Sequence, residues 1–344
     1  MTWNDCLWSV MMQYVKSIGL NSNQQIGRGF NHPYDIAFSE NNRIYVLNRM
    51  YPQSTDGIRV QICDFDDEWY GEFGHGPGDT NDKFLVPVCI DFNDEEKLYV
   101  TDESHHQIKI FDKDGSFLEA WGRNTSKITS LEAPSGICFD SDGNALVVQQ
   151  FKGTVLRISN DGNILQTFGE PGSEPGELNL PWGICTDTED NIYVADWRND
   201  RIQKFDSDGK FIQNFGEPGS GEGQLSRPSS VAVADDGRVI VADWGNERVQ
   251  IFDKNGSFQT ILQGEATLSK WASEWLDVNQ DELNARHTAD LAIKTLPSHL
   301  NTPYHKASQT EHIFWGPVSV KIDKTQLLYV TEHSRHRIQI FDLK

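Results

Sequence analysis

The sequence is short of positive charge. Its 30 Lys and Arg stand against 51 Asp and Glu, a formal net charge of −21. So acidic a chain repels phosphate backbones, and nucleic acid is not expected as a partner. Long apolar runs are also missing. The N-terminus, MTWNDCLWSVMMQYVKSIGL, has neither a basic region leading into an apolar stretch nor a membrane-length span, so no secretory leader and no membrane association are expected. Five cysteines, an odd number, make no disulfide framework. Cys138 and Cys185 fall at matching positions inside short apolar runs and read as small buried thiols, which points to a reducing cytoplasm. There is no Gly-rich phosphate loop between a strand and a helix, no GxSxG elbow, no CxxC pair and no HxxxH spacing. No nucleotide cofactor is therefore expected, while a divalent metal stays open. FDSDG and FDKDG begin like calcium loops, but they fall at hairpin turns and lack the later Glu.

What the sequence does have is a period. Prolines open the phrases HPYDIAF, VPVCIDF, APSGICF, LPWGICT, RPSSVAV and GPVSVKI, at Pro33, Pro87, Pro134, Pro181, Pro228 and Pro317. The gaps are 54, 47, 47, 47 and 89 residues, and a fixed period in the forties marks a propeller or solenoid. Each unit follows one script. A strand such as GICTD turns into IYVAD, a short loop leads to RIQKFD, and an Asp-Gly hairpin returns FIQNFG. Four short strands per repeat describe a propeller blade. The last repeat ends after its third strand, and YVKSIG at 14–19 matches the pattern of the missing fourth. The expectation is an all-β, six-bladed β-propeller of four-stranded blades forming one domain over 1–344. The N-terminal strand closes the last blade, so that no long sheet edge is left open.

VADWRNDRIQKFDSDGKFIQNFG and VADWGNERVQIFDKNGSF resemble NHL repeats, named for an Asn-His-Leu-like triplet after the second strand, here NDR, NER, HHQ and RHR. The resemblance covers roughly 10–264 and 316–344 and implies the ring rather than an activity. NHL rings often serve as recognition discs. The ring is also similar to that of the peptidyl-hydroxyglycine amidating lyases, which carry an Arg beyond the second strand of blade one, matched by Arg49. That family places zinc-binding His directly after the opening proline in three blades, where this chain has Val88, Ser135 and Trp182. Its catalytic Tyr has no counterpart in QQFKGT, so the resemblance carries over only Arg49, as an anion-binding group.

Two stretches break the period. Extra residues in blade one fall within NRMYPQSTDGI, and the last gap exceeds the period by 42 residues, an insertion over 265–315 between blades five and six. Within it Leu268, Trp271, Trp275 and Leu276 have helical spacing with Thr267 as N-cap, and DELNARHTADLAIKTL continues as a second helical segment. Both insertions should rise from one face, and the helical one is expected to act as a lid over the channel mouth. It could alternatively be a docking arm, with exposed Trp271 and Trp275 as the mark of a partner.

Second strands end in a polar column, Asn48, Asp102, Gln150, Asp196, Asp243 and Glu332, which reads as turn-forming acceptors more readily than as metal ligands. The next column, Arg49, Glu103, Phe151, Trp197, Trp244 and His333, should face the mouth. Histidines gather on the same face: His32 and His75 in blade connections, His105, His106, His333 and His336 after second strands, and His287, His299, His305 and His312 in the insertion. His106 and His336 sit mid-triplet and read as architectural. The expected site is a small-molecule pocket lined by Tyr34, Trp182, Trp197, Trp244 and Trp315. Glu103 or His333 would be its acid–base group and Arg49 would hold an anionic substrate, for lyase or hydrolase chemistry. The competing expectation is a non-catalytic platform for a protein partner, with the same Trp and Arg as contacts.

Overall fold

The computed structural model describes residues 12–21, 26–50, 57–290 and 295–344. Six four-stranded antiparallel sheets form the blades, at 33–73, 87–122, 134–168, 184–215, 230–262 and 317–342, the last completed by Gln13–Ile18. Second strands such as Ile192–Asp196 and Val239–Asp243 are buried along their whole length, because each blade is sandwiched between two others. Their side chains interleave across the seams. Tyr193, Ala195, Ile202 and Phe215 of blade four pack with Val239, Val241 and Phe252 of blade five. This burial of apolar surface between blades is what holds the ring together.

Closure is as the terminal motif predicts. Gln13–Ile18 pairs antiparallel with Arg337–Asp342, and Ile18 is fully buried beside Phe30, Ile338 and Ile340. Blade connections follow a repeated device. The residue before the opening proline adopts a left-handed backbone at His32, Ala133, Leu180, Arg227 and Gly316. In four of these its N–H is taken by the mid-triplet side chain of the preceding blade: His336, His106, Asp200 and Glu247 respectively for His32, Ala133, Arg227 and Gly316. The architectural reading of His106 and His336 thus has a mechanism. The FDSDG and FDKDG turns are likewise Asx turns, Asp206 and Asp112 each accepting two backbone N–H groups of their own hairpin.

Among the described residues the insertion holds three α-helices, α1 (Lys270–Val278), α2 (Gln280–Thr288) and α3 (Pro303–Gln309). The N-cap of α1 is Ser269, whose hydroxyl accepts from Ala272, and not Thr267. Thr267 instead bonds the Tyr14 hydroxyl on the closing strand. Residues 291–294 of the second helical segment lie outside the described residues. Contacts with blade one and with the closing connection set the position of α1. Trp271 is buried edge-on against Phe30 at 5.6 Å and donates its indole N–H to the Asp67 carbonyl at 2.6 Å. Lys270 pairs with Glu68, and Arg28 with Glu274. These partners belong to the outer hairpin of blade one and the connection from the closing strand, so α1 clasps the seam where the ring closes. Helix α3 borders the candidate site, with Tyr304 edge-on against Trp315 at 5.6 Å.

Candidate functional site

In a propeller blade strands alternate direction, so the loops joining second to third strands share a face with the connections between blades. On that face the polar column is fully engaged. Asn48, Asp102, Asp196, Asp243 and Glu332 are inaccessible, each accepting a backbone N–H from the residue 17 positions earlier. Arg201, Arg248 and Arg337 add ion pairs at 2.9, 2.7 and 2.6 Å. In blade three the column position belongs to Gln149, which accepts from Glu132, and not to Gln150. The pairing register decides this: Gln149 lies opposite Pro134 as Asp102 lies opposite Pro87. The next position is consequently Gln150, and Phe151 points into solvent, 58% exposed. Among the described residues no three His, Cys, Asp or Glu converge where they could hold a metal ion.

Four of the six residues of the following column converge. Arg49, Glu103, Trp244 and His333, joined by Tyr34, line one cavity of about 320 Å³ at the channel mouth. The Arg49 guanidinium lies 4.5 Å from the Tyr34 ring centre and 6.0 Å from that of Trp182, with Glu103 at 3.7 Å, too far for a short hydrogen bond. Its Nη1 is buried with no hydrogen-bond partner among the described residues. Ring neighbours continue as an arc, Tyr34 to Trp182 at 6.3 Å, Trp182 to Trp197 at 6.4 Å and Trp197 to Trp244 at 6.5 Å. Trp182 lines the neck below the mouth, whereas Trp197 lies in the arc and lines neither the neck nor the mouth cavity.

A larger cavity, about 860 Å³, adjoins the first and shares Trp244 and His333 with it. Trp315 and Tyr304 form its aromatic wall, Arg335 stacks 5.2 Å from Trp315, and Glu247 and His336 complete it. Among the described residues, no part of α1 or α2 lines either cavity. Below the mouth the channel narrows to a neck of about 20 Å³, reaching down to Lys321 and Asp35. Lys321 stands 3.4 Å from Asp91 and 4.0 Å from Asp35, and the Cys89 thiol and the Ser319 hydroxyl both donate to Asp35. This network lies where the channel narrows below the mouth.

Burial sets the ionisation. His333 is held far below the ordinary imidazole range, at about 3, by desolvation and then by His32, His336 and Arg49. His336 is lowered to about 4 for the same first reason, with His32 opposing its charge. His32 itself lies 4.6 Å from the His333 ring and 4.5 Å from that of His336. At neutral pH these imidazoles are uncharged. Desolvation pushes the Glu103 carboxyl up while Arg49 draws it down. Glu247 is raised to about 7 by burial, against the Gly316 N–H that it accepts. Glu247 was not singled out from the sequence. Its signal was its place mid-triplet in NER, three positions beyond Trp244 in the column expected to face the mouth.

The NHL repeat family model matches residues 178–205, 225–252 and 314–341. Three of the six blades thus carry NHL repeats. NHL repeat-containing protein 3 of Homo sapiens is 33% identical over 129 residues, 35% of this chain and 33% of that protein. The Mus musculus counterpart is 28% identical over 143 residues, 39% and 35% respectively. The match thus spans about a third of the length of these curated relatives. Among solved structures, a streptogramin B lyase superposes over 98% of this chain and 99% of its own, with a TM-score of 0.57 and 14% identity. A virginiamycin B lyase from Staphylococcus aureus covers 96% and 99%, with a TM-score of 0.55 and 15% identity. A protein of unknown function from Bacteroides thetaiotaomicron covers 96% and 75%, with a TM-score of 0.61 and 15% identity. At such identities the likeness is one of fold. Among the described residues no helix is long and apolar enough to cross a membrane.

Proposed function

We propose that the channel mouth binds a small molecule with an anionic or carbonyl end and an aromatic body. The observation that carries this is the buried, unpartnered Nη1 of Arg49 facing a cavity walled by Tyr34 and Trp244. A guanidinium held 4.5 Å from a ring centre is pre-organised to donate to a carboxylate or carbonyl. Trp182 and Trp197 would extend the aromatic contact, and Trp315 with α3 would flank the bound molecule, so that the covering role passes from α1 to the limb around Tyr304. If bond cleavage follows, lyase or hydrolase chemistry suits the groups present, in a reducing cytoplasmic setting. Glu103, raised by burial, would move the proton, and His333 would act as a neutral imidazole. That solved relatives in fold are lyases agrees with this without assigning it.

The test is a thermal-shift and calorimetric panel of aryl carboxylates, such as N-acetyl-tryptophan, on the wild type and Arg49→Met. Binding by the wild type that the variant loses supports the reading. Failure of every aryl carboxylate to bind, or unchanged binding in the variant, sinks it. One observation favours a partner protein instead: Trp275 and Val278 on α1 are 44% and 80% exposed. Trp271, the other residue that would mark a docking arm, is buried.

A further inference from the structure

The face opposite the candidate site carries a cavity of about 770 Å³. It lies where the turns joining first to second strands of blades six, one and two meet. Phe38, Phe65 and Phe92, each half-buried, form its walls with Tyr329, and the Phe38 and Tyr329 rings are 4.7 Å apart. Glu40, Asp94, Glu96 and Asp323 line the cavity with Lys324, and Lys16 stands 5.0 Å from the Phe65 ring centre. Asp323 is occupied by its own turn, accepting from the Thr325 and Leu327 amides and the Tyr329 hydroxyl, and Glu96 accepts the Glu40 N–H. Glu40 and Asp94 sit at exposed turn positions.

Acidity alone selects nothing, but an orphaned amide does. Asn93 is 5% exposed and lines this cavity. Its Oδ1 accepts from the Glu95 and Lys97 N–H groups, while its Nδ2 is buried with no partner among the described residues. Blades three and four show what is missing. There the equivalent residues are Asp140 and Asp187, and the side-chain amides of Asn144 and Asn191 donate to both carboxylate oxygens. In blade two the residue matching Asn144 is Lys97, which pairs outward with Glu95 at 2.6 Å. Blade two has exchanged a self-sealed acceptor for a donor with no partner in its own turn, on a residue that lines the groove, and a buried N–H donor is ordinarily satisfied by an acceptor such as a carbonyl.

We propose that this groove docks an extended, basic peptide segment of a partner protein. A backbone carbonyl of the segment accepts from Asn93 Nδ2. Apolar side chains rest on Phe38, Phe65 and Phe92, and Lys or Arg side chains on the other side of the strand meet Glu40 and Asp94, since alternate residues of an extended chain face opposite ways. Charge complementarity favours such a partner over a second copy of a chain carrying −21.

The probe is a fluorescein-labelled hexapeptide alternating lysine and phenylalanine, followed by anisotropy on the full chain, with lysine-only and glutamate–phenylalanine hexapeptides alongside. The alternating basic peptide is expected to bind about tenfold tighter than either. Asn93→Asp should fold, because Asp already stands at this position in blades three and four. It adds negative charge, so nonspecific attraction would tighten binding, whereas loss of the donor should weaken it several-fold. Glu40→Lys with Asp94→Lys should weaken binding far more than Glu170→Lys with Glu222→Lys, the same charge change at exposed positions outside the groove. Equal binding of the lysine-only peptide, tighter binding to Asn93→Asp, or equal losses from the two double variants would each overturn the proposal. Self-association of the chain in sedimentation that Glu40→Lys abolishes would do the same, making a second copy the occupant.

Discussion

Arg49, Glu247 and His336 each sit where burial changes what an ionisable group does. For Arg49 the consequence is affinity. Replacing a charge-assisted, pre-organised donor by Met keeps the contact with Tyr34 and removes the hydrogen bonds, so an aryl carboxylate should bind the variant at least tenfold more weakly with thermal stability retained, as calorimetry on both proteins would show. For His336 the consequence is a stability profile. Its folded value of about 4 lies below the ordinary 6.5, so the unfolded chain takes up protons first as the medium acidifies. Stability is therefore full above about pH 6.5 and is lost as pH falls toward 4. His336→Asn keeps an acceptor for the His32 N–H and tolerates the left-handed backbone, so denaturant titrations should show a shallower acid loss in the variant. Glu247 works in the other direction. Raised to about 7 from 4.5, it holds its proton longer when folded, and stability declines as pH rises from 4.5 through 7. Glu247→Gln should remove that decline while still accepting from Gly316, and an unchanged profile would refute the assignment.

At the scale of elements, periodicity told apart strand and helix but not where the helix goes. Trp271, Trp275 and Leu276 have the spacing of one helical face, yet only Trp271 and Leu276 are buried, and Trp275 stays 44% exposed. Helical spacing says that a face exists; which surface receives it depends on the path from blade five, and that path is fixed by long-range bonds such as Ser269 to the Gly19 carbonyl and Glu265 to Gln339. The same limit explains Gln149 and Gln150. Two adjacent glutamines are indistinguishable in a pattern, and only pairing with Pro134 chooses between them. The convergence of Tyr34, Arg49, Glu103, Trp244 and His333 was legible because their positions repeat from blade to blade, whereas Glu247 and Asn93 were not, since each becomes unusual only once its hydrogen-bond partners are known. The clasp makes its own prediction. Trp271→Ala removes a buried indole and the N–H bond to Asp67, a loss of about 3–5 kcal/mol for a buried Trp. Trp275→Ala should change stability little. Chemical denaturation of the two variants distinguishes the clasp from a loosely attached arm, for which the two losses would be equally small.

At the scale of the whole molecule the ring depends on a join between its two ends. Successive blades along the chain meet in local order, but blade six and blade one meet across the join between the two ends of the chain, where Gln13–Ile18 pairs with Arg337–Asp342. Removing residues 1–19 would strip that partner from Arg337–Asp342, leave its edge unpaired, and take Ile18 out of the cluster it shares with Phe30, Ile338 and Ile340. Trp271 belongs to the same cluster, so the truncation should also loosen α1, and with it the clasp across the seam. An unpaired edge invites a strand from another chain. The truncated protein should therefore unfold at a markedly lower temperature and associate through that edge in sedimentation. A synthetic peptide of residues 12–20 added in trans should restore both monomer and thermal stability, because it supplies the same hydrogen bonds and the same buried isoleucine. A scrambled peptide of that composition controls for nonspecific effects. A truncated chain that melts like the full one would mean that the seam between blades is held by its inner strands alone, and that the terminal strand contributes pairing without stability.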